Sequence, residues 1–369
     1  MEKDIDIIIY GATGFTGKLC VKYFQSLDTT VTWAIAGRNL TKLKKVAEDN
    51  QTKVEILIAD SDDESALDDL TARARVILST TGPFHRYGSK LVASCIKNHA
   101  HYVDITGENF WVKGLIEKHH AEALAKGIRI IPSCGFDSIP SDLGTFFSAK
   151  AIGKPIKRIE SFHSYKGGAS GGTLETMFSM GELDLGDDLT DPFLLNPNDS
   201  YSNEQKQLSG DRVGIAKKPE IKAWSGPFIM ATANTRVVRR TEALLALRQE
   251  SYGADFTYQE HAFHKSLLSA VQSLLITGLS VLVLLSPLKR LVKPFLPKPG
   301  EGPSESVQEN GWFDCKYIVE TDDGTKSVFN MNGKGDPGYK VTSKLVSECA
   351  LCLIEDQDTL PGGSEYGGI

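Results

Sequence analysis

Over the first 140 positions, apolar residues come in short unbroken runs, separated by longer stretches in which they recur at helical spacing. The runs at 5–10, 31–36, 54–60, 76–80, 101–105 and 128–132 predict six strands. Between them, positions 64–74, 89–98 and 112–126 carry apolar residues every three or four places, which predicts amphipathic helices. Short buried strands alternating with helices define an α/β unit, a Rossmann-type doubly wound parallel sheet covered on both faces.

The rhythm then changes. Stretches 159–165, 228–238, 315–321 and 326–331 read as strands among polar, glycine-rich loops, without strand–helix alternation. They predict an inserted α+β domain with a mixed or antiparallel sheet and helices on one face. The segment 181–219, rich in Asp, Asn, Ser, Gly and Lys, has the length of a lid or mobile loop. A final helix opens at Pro337-Gly338 with Val341, Leu345, Val346, Cys349, Cys352 and Leu353 on one face, placed to dock back on the first domain. The expected division is 1–140 for cofactor binding, 141–337 for substrate and oligomerisation, and 338–369 for the returning helix and tail.

One stretch departs from this soluble pattern. Residues 266–288 hold no charge and are long enough to cross a bilayer, and Lys289, Arg290, Lys293 and Lys298 follow. Three fates are open: burial in the protein or at a homodimer interface, peripheral contact with a membrane face, or a span. A span would put the closing helix on the far side of the membrane, away from the nucleotide domain. Ser269, Gln272, Ser273, Thr277 and Ser280 within the run weigh against it as well.

Composition narrows the chemistry. At 369 residues the chain exceeds what one core usually covers. Its net charge of −6 offers no basic field to nucleic acid. A strand within a few residues of Met1 leaves no room for a leader, and six scattered cysteines suit a reducing, cytoplasmic compartment. Cys349 and Cys352 have redox-like spacing but no second pair or histidine cluster beside them, so they read as core, and no metal site is expected.

The strongest motif is Gly11-Ala12-Thr13-Gly14-Phe15-Thr16-Gly17, directly behind the first strand and ahead of a helix with Leu19, Tyr23, Phe24 and Leu27 on one stripe. Glycines there let the backbone approach a pyrophosphate, and the free amides at the helix start point toward it. About twenty residues on, where an NAD enzyme carries an acid for the ribose 2′-hydroxyl, stands Arg38. A guanidinium can fork onto a 2′-phosphate, so NADP is favoured; a merely solvated arginine is the alternative. Asp60, after the third strand, and Thr81, Gly82 and Pro83, after the fourth, complete the predicted cofactor contacts.

In an open α/β sheet the ligands lie at the carboxyl ends of the strands. Three candidates for acid or base work sit there: Tyr87, Glu108 and Asp137. Each has a plainer reading, Tyr87 as packing, Glu108 with Asp104 as caps of the helix near Asn109, and Asp137 with Ser138 as caps of the helix led by Pro140. The turn Gly171-Gly172-Thr173 is the expected substrate contact of the second domain.

The chain also resembles a family. The glycine motif, Ala36-Gly37-Arg38, Gly82-Pro83-Phe84 with Tyr87-Gly88, and Asp104-Ile105-Thr106-Gly107-Glu108 are similar to those of the saccharopine dehydrogenase-like oxidoreductases. So are Gly135-Phe136-Asp137-Ser138-Ile139-Pro140 with Asp142-Leu143-Gly144, Val237-Val238-Arg239-Arg240-Thr241 and Gly338-Tyr339, and the trans-acting enoyl reductases are the nearest branch. The resemblance implies a nicotinamide cofactor, an inserted reductase-like domain and links to lipid metabolism and membranes. It points to NADPH-dependent reduction of a C=C or C=N bond in a small-molecule, lipid-like substrate. An imine reductase of amino-acid metabolism, with Arg236, Arg239 and Arg240 for carboxylates, is the alternative, and a non-catalytic NADP-binding adaptor the third reading.

Overall fold

A computed structural model describes residues 3–197, 200–286, 292, 297–298, 300–360 and 367–369. The first sheet is built from β1 (Ile5–Tyr10), β2 (Trp33–Gly37), β3 (Glu55–Ile58), β4 (Ala74–Ser79), β5 (His101–Asp104) and β6 (Ile130–Ile131). Their order is β3-β2-β1-β4-β5-β6 and every pairing is parallel. Alternation along β1 sends Ile7 and Ile9 to one face and Ile8 and Tyr10 to the other. Helices α1 (Phe15–Ser26) and α2 (Leu40–Asp49) cover the first face. On the second lie α3 (Glu64–Arg73), the short α4 (Phe84–Tyr87), α5 (Ser89–Lys97) and α6 (Asn109–Ala125). The strand order reverses between β1 and β4, which opens a crevice at their carboxyl ends.

Helix α7 (Ile139–Ile152) leads into the second sheet: β7 (Ile156–Lys166), β8 (Ala216–Lys218), β9 (Ala223–Gly226), β10 (Thr257–His264), β11 (Trp312–Thr321) and β12 (Lys326–Lys334). They run in the order β12-β11-β7-β10-β9-β8, antiparallel except for β7 with β10. Between β7 and β8 lie α8 (Gly171–Met180), a 3-10 turn at Gly186–Leu189 and α9 (Asn203–Leu208). Helix α10 (Ala231–Leu247) packs with α7 on one face around Phe136, Ile159, Val238, Tyr258 and Tyr317. The C-terminal helix Thr342–Glu355 lies against α1, β4 and β5, burying Val346, Ala350 and Leu353 in the first domain.

One expected strand is a helix instead. Residues 228–238 look β-like because Thr235, Val237 and Val238 are β-branched, but from 231 onward they belong to α10. Thr235, Val238 and Arg239, at i, i+3 and i+4, are buried together on one face, so tertiary packing outweighs the local preference.

The uncharged run forms α11 (Leu267–Leu285), whose start is closed by a reciprocal Ser266–Ser269 capping box. Among the described residues no helix is long and apolar enough to cross a membrane. Burial inside the protein is not its fate either, since Leu268 and Leu275 are 68% and 67% exposed. Of the basic residues that follow, Lys289, Arg290 and Lys293 lie outside the described residues.

Candidate functional site

A cavity of about 910 Å³ opens at the carboxyl ends of β1, β4 and β5 and runs between the two sheets. That is the upper end of the usual range for small-molecule sites, roughly 300–1,000 Å³. One end is the glycine turn. Gly11 has φ +87°, and a Cβ there would collide with the Thr81 hydroxyl. A Cβ on Gly17 would strike the Gly11 carbonyl, so that glycine lets α1 close on the turn. Helix α1 begins at Gly14 with no side-chain cap, leaving its first-turn amides directed at the cavity that Gly14, Phe15 and Thr16 line. The buried Thr81 hydroxyl oxygen lacks a hydrogen-bond partner among the described residues and sits on the same wall.

Arg38 follows β2, lines the cavity and makes no hydrogen bond or ion pair to any described residue. Its guanidinium is an unengaged fork of the kind that can receive a phosphate. Cradle, bare amides and unengaged guanidinium together fit NADP. Of the other sequence-predicted cofactor residues, Thr13 and Gly82 also line the cavity. Ala12, Gly17, Asp60 and Pro83 stand behind the wall, where Asp60 accepts the Asp62 amide at 3.1 Å, and Ser61 takes the place at the surface.

The three acid–base candidates all reach the cavity, in different states. Glu108 is fully buried at the start of α6, yet its carboxylate does not cap that helix. It caps α4 instead, accepting the Phe84 and His85 amides at 2.8 Å each and meeting His85 Nδ1 at 2.5 Å. Both oxygens therefore hold the Gly82-Pro83-Phe84 loop. The Tyr87 hydroxyl, on α4, has no partner among the described residues. Asp137 lines the cavity with its side chain open to it, and desolvation by the surrounding protein raises its pKa to about 6. It does not cap α7, and the Ser138 side chain leaves that helix uncapped as well. Asp104 is not on the wall. It accepts the Thr106 and Ser133 amides and the Tyr102 hydroxyl, while burial outweighs these bonds and lifts its pKa to about 7.

The other end of the cavity is apolar. Met177 and Met180 on α8, Leu185 and Leu189 beyond it, and Phe228 and Met230 ahead of α10 form its walls. Gly172 and Thr173, at the start of α8, line it too. Tyr339, which the sequence offered only as part of a family motif and not as a site residue, ties the two ends together. Its ring meets Phe15 edge-on at 5.2 Å, and its hydroxyl accepts the Ser170 amide and bonds Thr173 Oγ1 at 2.8 Å. The three arginines of α10 are structural. Arg236 pairs with Asp211 at 2.5 Å and 2.8 Å and donates to the Asp191 carbonyl. Arg239 donates to the carbonyls of Pro192, Ser209 and Tyr258, and Arg240 to those of Leu195 and Ile369. Together they pin the 189–211 segment over the second sheet. No cluster able to hold a metal occurs among the described residues.

This fold and site define a two-domain dinucleotide-dependent oxidoreductase. Residues 7–131 match the family of the saccharopine dehydrogenase NADP binding domain. Over nearly its whole length the chain is similar to curated mycobacterial proteins. It is 32% identical to a trans-acting enoyl reductase of Mycobacterium leprae, covering 100% of this chain and 92% of that one. It is 36% identical to a Mycobacterium tuberculosis protein named provisionally as a trans-acting enoyl reductase, covering 97% and 90%. Saccharopine dehydrogenase (L-Glu forming) of Saccharomyces cerevisiae shares the fold at 13% identity and a TM-score of 0.54, covering 97% and 93%. The chain belongs to the saccharopine dehydrogenase-like oxidoreductases, in the trans-acting enoyl reductase branch. It is an NADP-dependent oxidoreductase.

Proposed function

We propose that the protein uses NADPH to reduce the C=C bond of a hydrophobic, carrier- or lipid-linked enoyl substrate. One observation carries this reading: beyond the cofactor end, the cavity wall is predominantly apolar and, among the described residues, holds no available cation. Among the described residues only Arg38 and Arg236 bring positive charge to the wall, and Arg236 is neutralised by Asp211. A substrate bearing amino-acid carboxylates would find no partner there, which weighs against the imine-reductase alternative.

Bound NADPH supplies the hydride. The chain's part is to hold the acceptor against it, exclude water and provide one proton for the carbon that becomes anionic. Met177, Met180 and Phe228 shape the apolar slot. Asp137 holds the proton at its carboxyl, tuned toward neutral pH by desolvation in the cavity, and the Tyr87 hydroxyl is the second donor facing the same space. Glu108 is a positioning residue that fixes the loop between them. We place the enzyme in the cytoplasm, with α11 serving either peripheral membrane contact or a homodimer. The test is NADPH consumption by the purified protein with a long-chain enoyl thioester, an imino acid or neither. Oxidation with the enoyl thioester alone is expected; turnover only with the imino acid would overturn the reading.

A further inference from the structure

Helix α11 is built inside out. At 100° per residue, its small side chains Ser269, Ala270, Ser273 and Thr277 share one face. That face meets the body, where α11 packs on β9 and β10 and Ala270 is completely buried. The large aliphatics point away. Leu267, Leu268, Val271, Leu274, Leu275, Ile276, Leu279 and Leu282 are all exposed, the last three by 60% or more. They sweep about 200° of the circumference, whereas a helix on a globular protein turns its apolar stripe inward. An exposed apolar surface of this size marks a contact with something else.

We infer that the partner is an anionic lipid surface, into which the C-terminal half of α11 inserts. Three observations choose lipid over a second copy of this chain. First, an arc of about 200° needs a surrounding phase, because a facing helix or sheet covers only the strip turned toward it. Second, from Lys265 to Gly300 the chain carries Lys265, Lys289, Arg290, Lys293 and Lys298 and no acidic residue, in a protein of net charge −6. That local excess of cations complements an anionic headgroup layer. Third, hydroxyls on the helix are satisfied by its own backbone. Ser269 Oγ donates to the Ser266 carbonyl at 2.8 Å and Ser280 Oγ to that of Ile276 at 2.9 Å, so neither requires water. Gln272, the polar exception on the exposed arc, lies in the first half, which places that half at headgroup depth and Leu275 to Leu282 deepest.

The chain beyond this helix returns to the cavity. The Lys298 carbonyl occupies the space a Cβ on Gly171 would need, Gly300 lines the cavity, and Gly302 packs against the Phe15 ring. The lipid contact does not rest on the hydrophobic-substrate reading above.

The test is co-sedimentation of the full chain with phosphatidylcholine vesicles, with and without about 30% phosphatidylglycerol. Wild type is expected to bind the anionic vesicles at least about tenfold more tightly than the neutral ones, and less so in high salt. Leu275→Asp/Leu279→Asp is expected to lower that affinity at least about 100-fold. NADPH binding, read by fluorescence, should be unchanged in the variant, which certifies its fold independently of the lipid result. Wild type remaining in the supernatant with both vesicles would overturn the inference. So would sedimentation indifferent to the substitutions, or a lipid-free dimer, seen by ultracentrifugation, that the substitutions split.

Discussion

Replacing Glu108 separates holding the loop from donating the proton. Its carboxylate accepts two main-chain amides at 2.8 Å and meets His85 Nδ1 at 2.5 Å, with the side chain fully out of solvent. In Glu108→Gln one oxygen remains an acceptor, but the new NH2 faces an amide that can only donate. One buried N–H is then unpaired and opposed, which costs about 1–3 kcal/mol. At roughly 2–4 °C per kcal/mol for a domain of this size, the melting temperature should fall by about 2–12 °C. Glu108→Ala orphans both amides and leaves a void, so its fall should be larger. Since α4 and the Gly82-Pro83-Phe84 loop flank the cofactor end, NADPH affinity should fall with stability, up to about tenfold for each 1.4 kcal/mol of loop destabilisation. Scanning calorimetry and NADPH fluorescence titration read both effects. A Gln variant with unchanged melting temperature and NADPH affinity, but no turnover, would refute this reasoning and make Glu108 the acid itself.

Three further residues carry predictions. With the Asp137 carboxyl at about 6, turnover should decline as pH rises above 6, and Asp137→Asn should remove that limb while NADPH still binds. A pH–rate profile identical in the variant would acquit Asp137. Glu260 lies buried, accepts Asn234 Nδ2 at 2.7 Å and the Tyr258 hydroxyl at 3.1 Å, and has its pKa raised to about 8, chiefly by desolvation. A folded-state value above the unfolded one means that the protonated form stabilises the fold below about 4.5 and that this contribution is lost as pH climbs through 8. Glu260→Gln should therefore gain melting temperature relative to wild type between pH 5 and about 9, and a constant difference across that range would contradict the burial argument. Gly17→Ala should push α1 off the turn and weaken NADPH binding while leaving the second domain folded; unchanged affinity would mean that the close approach at the Gly11 carbonyl does not matter.

How far the sequence could be read follows from where polar residues sit. The first sheet was legible because its strands are apolar and its helices one-sided, and predicted and observed strands there differ by only a few residues. Strand β10 escaped because Thr257, Tyr258, Gln259, Glu260 and His261 are all buried although most are polar. Their hydrogen bonds come from Asn234, Leu208, Gly210 and each other, partners that no local pattern reveals. The α10 arginines invited a substrate role for the same reason: only the folded chain brings the carbonyls of Pro192, Leu195 and Ser209 to their guanidiniums. Glu108 was read as an acid–base candidate or as a cap of the helix near Asn109, but its carboxylate caps α4 from the start of α6. For α11 the uncharged apolar run was visible, while which face meets the body depended on β9 and β10.

The central claim is that Arg38, free at the end of β2, grips the 2′-phosphate of NADPH beside the glycine cradle. Isothermal titration of wild type and Arg38→Ala with NADPH and with NADH tests it most directly. The account predicts tighter binding of NADPH by wild type, and a loss of about 1.5–3 kcal/mol for NADPH on substitution with NADH nearly unaffected. Equal affinities for the two coenzymes, or equal losses on substitution, would contradict it.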